Sequence, residues 1–268
     1  MFKFKRQKKV VNDNGEYIEK QVKKIPKTLT YIFLIYLSIF LIIVIWYFAF
    51  QSTHYISTVQ GSSMKPTLNI GITSESQSED IVYVNTSRKG SKGDIVVIEN
   101  NNGHIIKRII ATEGDKVSIY ITEDGYYHVS IVYANTDDPV ILQEEYVNSY
   151  SDWTKRGFYS SYVFDNGIKY EENFYQNLIY EQGYYDNVSL IDGIYHAEVP
   201  EDHVFCLGDN RSVSSDSRVK GFFKESEIKG VADIIIKGGA LEGGASFGKR
   251  FSAIISYYWS EIEKSFAR

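Results

Sequence analysis

The segment GSSMKPT over residues 61–67 places a serine, Ser63, directly before a Met-x-Pro-Thr turn. Further along, HIIKRIIA over residues 104–111 places Lys107 inside an apolar, β-branched run that predicts a strand. A serine hydroxyl is a poor nucleophile until a neighbouring base takes its proton. A lysine can act as that base only if its pKa falls from about 10.4 towards neutrality. The two segments therefore predict a nucleophile and a base, with the base on β-structure.

The residues around Lys107 offer a physical reason for a lowered pKa. Side chains alternate along a strand, so Ile105, Lys107 and Ile109 share one face. Burial among isoleucines disfavours the ammonium form and lowers the pKa of a lysine. Taken alone, this strand is more typical of a lysine on a solvated face, and the segment around Ser63 is more typical of a serine-rich turn.

Composition and charge exclude some classes of protein. The 268 residues include 22 Tyr and only 4 Pro, a composition that favours a β-rich ectodomain. Cys206 is the only cysteine, so no intrachain disulfide can form. Residues 1–28 hold nine basic and three acidic residues, a balance of +6, whereas the rest holds 20 basic and 31 acidic residues, a balance of −11. An acidic body argues against nucleic-acid binding.

A membrane anchor is predicted at Leu29–Phe50, which reads LTYIFLIYLSIFLIIVIWYFAF and is 22 residues long without a charge. About 20 apolar residues span a bilayer core. The basic flank lies on the N-terminal side, so the positive-inside rule places residues 1–28 in the cytoplasm. A cleaved signal peptide has a shorter apolar core and an Ala-x-Ala-like site. The run is too long and lacks such a site, which favours an uncleaved anchor.

The rest of the chain is predicted to be β-rich. Short β-branched runs bounded by Gly, Ser and Asn predict strands between residues 51 and 121 and again between 201 and 237. Residues 122–200 are rich in Tyr, Asn, Asp and Glu, and predict an inserted β-rich subdomain. Three- and four-residue apolar steps from Phe247 to Phe266 predict an amphipathic helix. That helix either packs on the domain or lies on a membrane surface.

A third segment, GDNRSVSSDSR over residues 208–218, holds two Asp and two Arg and predicts a rigid ion-pair network. By itself it is also typical of a charged loop. Together, and in this order, the three segments resemble bacterial type I signal peptidases, membrane-bound Ser/Lys proteases of the S26 family. GDIVV over residues 93–97 and the Gly114-Asp115 pair resemble further motifs of that family. Residues 29–121 and 200–237 carry the resemblance, and residues 122–200 match none of its motifs.

The resemblance implies a role for each matching residue. Ser63 is the expected nucleophile, Lys107 the general base, and Ser214 the serine that hydrogen-bonds the lysine amine. The remaining supporting residues implied by the motifs are Asp209, Asp216, Arg218 and Arg108. Some members of the family have a serine oxyanion donor two residues before the nucleophile. Gly61 stands there in this chain, so the backbone N–H of Ser63 is expected to do more of that work.

The resemblance also implies the organisation of the chain. The expected fold is mainly β, an antiparallel β-sheet catalytic domain with the inserted subdomain, on one N-terminal transmembrane helix. The segments are then a cytoplasmic tail (1–28), the membrane helix (29–50), the catalytic domain in two parts (51–121 and 201–237), the insert (122–200) and a C-terminal amphipathic tail (238–268). The catalytic domain lies outside the cytoplasmic membrane.

The implied activity is cleavage of signal peptides from exported preproteins, without metal or cofactor. The expected partners are those preproteins, membrane lipid and, as a candidate, the secretion translocase. The alternatives are a peptidase dedicated to pilins or surface proteins, and a non-catalytic pilus-assembly factor of the same fold. A soluble self-cleaving repressor with the same Ser/Lys chemistry is disfavoured by the anchor and by the 208–218 segment.

Overall fold

The structure is a computed structural model that describes residues 7–11, 15, 17–21, 26–69, 79–101, 103–121, 127–148, 175, 177–211, 213–238 and 247–266. Much of the predicted insert, Ser212 and most of the glycine-rich stretch before the C-terminal helix lie outside those residues. The chain divides into two compact units, Met1–Ser52 and Thr53–Arg268.

The first unit holds an antiparallel hairpin of β1 (Gln7–Val11) and β2 (Tyr17–Gln21) and nearly all of helix α1 (Lys27–Thr53). The helix has 27 residues and a mean hydropathy of 2.7 over its most apolar stretch, so it is long and apolar enough to cross a membrane. It contains the predicted span at residues 29–50 and extends beyond it at both ends, beginning directly after Pro26 and ending at Thr53.

The second unit contains twelve strands among its described residues. Their bounds are β3 (His54–Thr58), β4 (Ile81–Asn85), β5 (Ile95–Asn100), β6 (Gly103–Thr112), β7 (Lys116–Ile121), β8 (Tyr127–Val132), β9 (Val140–Ile141), β10 (Val188–Ile191), β11 (Ile194–Glu198), β12 (His203–Leu207), β13 (Phe223–Lys224) and β14 (Ile228–Ile236). Every pairing between them is antiparallel, so the predicted mainly β class is confirmed.

A seven-stranded sheet has the order β13-β12-β6-β5-β14-β4-β3. Its central strand β5 is buried on both faces, which explains the unbroken apolar run Ile95–Ile98. Ile95 and Val97 join one cluster of buried side chains, and Val96 and Ile98 join another. The sheet places β6, which carries Lys107, between β5 and β12.

A five-stranded sheet has the order β10-β11-β7-β8-β9. The predicted boundary between residues 121 and 122 falls between β7 and β8, which pair along six residues. One cluster of buried side chains contains Val129, Ile131 and Val147 from the predicted insert together with Ala111 and Phe205 from the predicted catalytic parts. The described part of residues 122–200 therefore shares a core with the larger sheet.

Among the described residues there are three further α-helices, α2 (Glu145–Asn148), α3 (Ser217–Lys220) and α4 (Phe247–Phe266). A π-helical turn (Asn177–Glu181) and two 3-10 turns (Tyr185–Asn187 and Glu225–Glu227) are also present. The bounds of α4 agree with the amphipathic pattern. It packs on β14, where Ile254 is buried and the Tyr257 hydroxyl donates to Asp233 at 2.9 Å. The short helices α2 and α3 lie beside the predicted catalytic residues and have no sequence periodicity long enough to predict them.

Candidate active site

The structure brings Ser63 and Lys107 together from positions 44 residues apart. The Nζ atom of Lys107 donates a hydrogen bond to Oγ of Ser63 at 3.0 Å. It also donates to the carbonyl oxygen of Ile106 at 2.7 Å. Only 4% of Lys107 is exposed, whereas Ser63 is partly exposed. A base buried behind an accessible hydroxyl is the geometry that nucleophilic catalysis needs.

Burial lowers the pKa of Lys107 to about 8, because the ammonium form loses its hydration. The carboxylates of Asp216 and Asp209 oppose this change, and the guanidinium of Arg218 adds to it. A lysine with a pKa near 8 is neutral far more often near pH 7 than an ordinary lysine, and only the neutral amine can accept a proton.

The packing of β6 explains why Lys107 is buried. Val96 lies opposite it on β5, while Ile105 and Ile109 are its same-face neighbours along β6. Those three side chains and Cys206 belong to a single apolar cluster. The alternation predicted from the sequence thus corresponds to a lysine placed among apolar side chains.

The turn that carries Ser63 is held by side chains further along the chain. Met64 and Leu68 point into the apolar cluster below the turn, with 2% and 1% of their surfaces exposed. The Asn69 side chain donates to the carbonyl oxygens of Val59 at 2.7 Å and Gly61 at 3.1 Å. Gly61 has a φ of +81°, which a serine adopts rarely and glycine readily.

Asn69 is itself fixed by Asp80. The Asp80 carboxylate accepts from the Asn69 backbone N–H at 2.8 Å, and the Asp80 N–H donates to the Asn69 side chain at the same distance. The Lys237 ammonium bonds to Asp80 at 3.0 Å and also donates to the Thr67 carbonyl. The turn that carries Ser63, here called the nucleophile turn after the predicted role of that serine, is thereby tied to the ends of strands β4 and β14.

The segment at residues 208–218 closes on the nucleophile turn from another side. The Asn210 N–H donates to the carbonyl oxygen of Ser63 at 3.0 Å, and its side chain donates to that of Ser62 at 3.1 Å. Gly208 lies so close that a Cβ there would be 2.6 Å from the Ser63 oxygen and 2.1 Å from Oγ of Ser214. Only glycine allows this approach.

The ion pairs of the 208–218 segment have two parts, of which only the Asp216–Arg218 pair lies wholly within the segment as predicted. Arg218 donates to both oxygens of Asp216 at 2.8 Å, and the N–H of Gly208 donates to the same carboxylate at 2.9 Å. Burial alone would raise the pKa of Asp216, but the charge and hydrogen bonds of Arg218 outweigh it and hold that pKa below its usual value. Asp216 is therefore a carboxylate near Lys107.

In the second part, Arg108 donates to the two oxygens of Asp209 at 2.9 and 2.6 Å. The Thr67 hydroxyl donates to the same carboxylate, so this pair joins β6, the nucleophile turn and the 208–218 segment. Such bidentate, charge-assisted hydrogen bonds fix geometry as well as supplying energy.

Ser214 is placed beside the predicted site without the predicted hydrogen bond. Ser214 is 1% exposed, and its hydroxyl makes no hydrogen bond to Lys107. It lies beside the Asp216 carboxylate, whose pKa it helps to lower. The amine of Lys107 bonds instead to Ser63 and to the Ile106 carbonyl. The role of Ser214 as a partner of the amine therefore stays a prediction.

Several residues that build the site were not predicted from the sequence. They are Thr67, Asn69, Asp80, Asn210, Glu144 and Tyr146. A buried Asn at a positive φ of +57°, two residues after Thr67, follows a common turn preference for Asn, but the sequence does not reveal its partners. Glu144 and Tyr146 lie in the region that matched no motif.

Comparisons with known proteins match the part of the chain that contains these residues. The family model for signal peptidase, peptidase S26, matches residues 28–237. A signal peptidase I of Buchnera aphidicola is 29% identical over 84% of this chain and 81% of its own length. A signal peptidase I of Streptococcus pneumoniae serotype 4 is 30% identical over 65% of this chain and 78% of its own length.

A crystal structure of a signal peptidase I from Enterococcus faecalis V583 aligns at 23% identity over 54% of this chain and 97% of that one. Its TM-score of 0.30 is too low for a comparison of folds. The family model spans more than half of the chain and includes both Ser63 and Lys107. The chain therefore belongs to the signal peptidase family, peptidase S26, and is a serine endopeptidase.

Proposed function

We propose that Ser63 and Lys107 form the catalytic dyad with which this chain removes signal peptides from exported preproteins. The observation that carries the proposal is the 3.0 Å hydrogen bond between the Lys107 amine and the Ser63 hydroxyl, formed by a lysine that is 4% exposed. Family membership supplies the reaction class, and this geometry supplies the two groups that the reaction needs.

In the first half of the reaction, the Ser63 hydroxyl attacks the scissile carbonyl while its proton moves to the neutral amine of Lys107. The tetrahedral intermediate collapses, the C–N bond breaks, and the same proton passes from Lys107 to the leaving amine. The mature protein leaves with its new N-terminus. The signal peptide remains bound to Ser63 as an ester.

In the second half, Lys107 takes a proton from water, which attacks the ester carbonyl. The ester bond breaks, the proton on Lys107 passes to the Ser63 oxygen, and the signal peptide leaves as a carboxylic acid that loses its own proton to solvent. Lys107 ends each half as the neutral base with which it began. The backbone N–H of Ser63 is the proposed donor to the oxyanion, because Gly61 has no hydroxyl to offer.

The proposed substrates carry small residues at the first and third positions before the cut, as in Ala-x-Ala sites. α1 is the proposed membrane anchor, with the +6 segment at residues 1–28 in the cytoplasm and residues 51–268 outside. That arrangement places the dyad on the side where translocated preproteins emerge. Membrane lipid is a proposed partner and the translocase a candidate one.

The test is cleavage of a preprotein with an Ala-x-Ala site by the full chain in detergent. We expect Ser63→Ala, Lys107→Ala and the double variant to lose activity to the same low level, because a hydroxyl and its only base act as a unit. Retention of more than about a few per cent of activity by Lys107→Ala would show that another base operates. Full activity of Ser63→Ala would reject the proposed nucleophile.

A further inference from the structure

The region that matched no family motif reaches into the site through two residues, Glu144 and Tyr146. Glu144 accepts from Nη1 of Arg211 at 2.8 Å and also accepts from Nη2 of the same guanidinium. Arg211 is 1% exposed and Glu144 5%, so this ion pair is buried. A buried bidentate pair fixes two segments in one relative geometry.

Arg211 also binds the backbone of the segment that faces Ser63. Its Nε atom donates back to the carbonyl oxygen of Gly208 at 3.1 Å. Gly208 and Asn210, on the same turn, are the residues that contact the Ser63 carbonyl. The Arg211 guanidinium therefore holds the 208–211 turn, which contacts the Ser63 carbonyl, in a fixed position relative to Glu144.

Tyr146 makes a second, independent contact. Its ring lies 4.3 Å from the guanidinium carbon of Arg108, and its hydroxyl donates to Glu144 at 2.9 Å. Arg108 follows Lys107 on β6 and holds Asp209. Glu144 thus contacts Arg211 on the 208–218 segment, and Tyr146 contacts Arg108 on β6. These two segments must keep their relative position for Lys107 to meet Ser63.

We propose that Glu144 and Tyr146, which lie in the predicted insert, are positioning residues for the catalytic dyad. This inference rests on the proposed function of the dyad. Neither residue touches the reacting atoms; each acts through an arginine. Loss of either contact frees the 208–211 turn, misplaces Ser63 relative to Lys107 and admits water to the amine.

The proposal predicts a change in the pH profile as well as in the rate. The groups that face Lys107 are Asp216, Asp209, Arg218 and Cys206, together with the Ser63 hydroxyl. None of them is altered when Glu144 is replaced. A better hydrated Lys107 regains part of its ordinary basicity, so the rising limb of the profile moves to higher pH.

The experiment measures kcat, KM and the pH profile of the full chain in detergent on a peptide with an Ala-x-Ala site, well below the unfolding temperature of each variant. We expect Glu144→Gln to lower kcat at least about tenfold with KM nearly unchanged, since small misplacements of reacting groups cost that much or more. The rising limb of the Glu144→Gln pH profile should move to higher pH, and Glu144→Asp should recover part of the rate.

Val147→Ala is the matched control. Val147 is fully buried one residue from Tyr146 and packs in the shared core, so this variant loses stability without touching either arginine. It should keep the wild-type kcat and rising limb. If Glu144→Gln kept both values as well, or if Val147→Ala changed them equally, the positioning role would be rejected.

Tyr146→Phe keeps the proposal testable if Glu144→Gln does not fold. It retains the ring beside Arg108 and removes only the hydroxyl bonded to Glu144. A smaller fall in kcat with the limb displaced in the same direction supports the proposal, and a wild-type profile contradicts it. Failure of the wild-type chain to cleave the peptide would instead reject the proposed function itself.

Discussion

The carbonyl oxygen of Ser63 accepts a hydrogen bond at 3.0 Å from the backbone N–H of Asn210, although the two residues are 147 positions apart. This bond joins the nucleophile turn to the 208–218 segment, whose Asp216 lies close enough to Lys107 to affect its pKa. Ser63, Lys107 and the carboxylates of Asp209 and Asp216 therefore form one connected network, and replacing the residues that hold it should disturb the proposed dyad.

Gly208→Ala should disrupt this contact. A Cβ at Gly208 would lie 2.6 Å from the Ser63 oxygen, so the two segments would have to separate. We expect kcat to fall at least about tenfold because reacting groups shifted by a fraction of an ångström lose their alignment. Gly248→Ala, where a Cβ would meet nothing within 4 Å, is the control and should retain full activity. Equal activity of the two variants would contradict the close approach.

Lys107→Met should abolish cleavage and yet stabilise the fold. The folded state lowers the pKa of Lys107 from 10.5 to about 8, so the unfolded chain binds the extra proton between those values. Keeping the ammonium buried below about pH 8 costs up to about 3 kcal/mol, at 1.36 kcal/mol per pKa unit. The cost disappears as pH rises towards 10.5, because both states are then neutral.

Thermal unfolding at several pH values measures this effect. The gain in melting temperature of Lys107→Met over the wild type should be largest below about pH 8 and should fade above it. Lys89→Met, at a lysine whose side chain is 89% exposed, should show no such pH-dependent gain. Destabilisation by Lys107→Met at neutral pH would mean that the lysine is not held at an electrostatic cost.

The sequence predicted the parts of the site that depend on local pattern. Alternation along residues 104–111 placed Lys107 between Ile105 and Ile109, and the apolar steps after Phe247 predicted α4 with the bounds that the structure has. The run at residues 29–50 predicted the helix but not its ends at Lys27 and Thr53, because helix ends depend weakly on local sequence.

The contacts between distant segments could not be predicted in this way. Nothing in the residues around Glu144 indicates that it meets Arg211, 67 positions further on, because that contact depends on how the two sheets pack. The same holds for Asn69 and Asp80, whose partners are backbone groups of the nucleophile turn. Periodicity and motifs can be recognised in a sequence, whereas the tertiary pairing of single polar residues leaves no periodic signal.

Deletion of residues 122–200 tests whether that region is a removable module. Because Val129, Ile131 and Val147 share a core with Phe205, and Glu144 pairs with Arg211, we expect replacement by a short Gly/Ser joint to abolish cleavage of short peptides and full preproteins alike. Leu190→Ser, at a side chain 59% exposed, is the silent control. Unchanged cleavage of short peptides after the deletion would show that the region serves only substrate choice.

Thiol labelling of intact cells tests the proposed orientation. Cys206 is fully buried, so an introduced cysteine is the only one expected to react. A membrane-impermeant reagent should label Leu190→Cys, because the proposed orientation has residues 51–268 outside. It should label Lys20→Cys only after the membrane is permeabilised. The reverse pattern would overturn the orientation and with it the access of the dyad to exported preproteins.

The pH dependence of kcat/KM for the wild-type chain tests the central claim most directly. It reports the ionisation of the free enzyme, and only neutral Lys107 can take the proton of Ser63. With burial lowering the pKa of Lys107 to about 8, the rate should rise through an apparent pKa near that value and then level off. A rate that stays low until about pH 10, near the ordinary pKa of lysine, would contradict a desolvated Lys107 as the base.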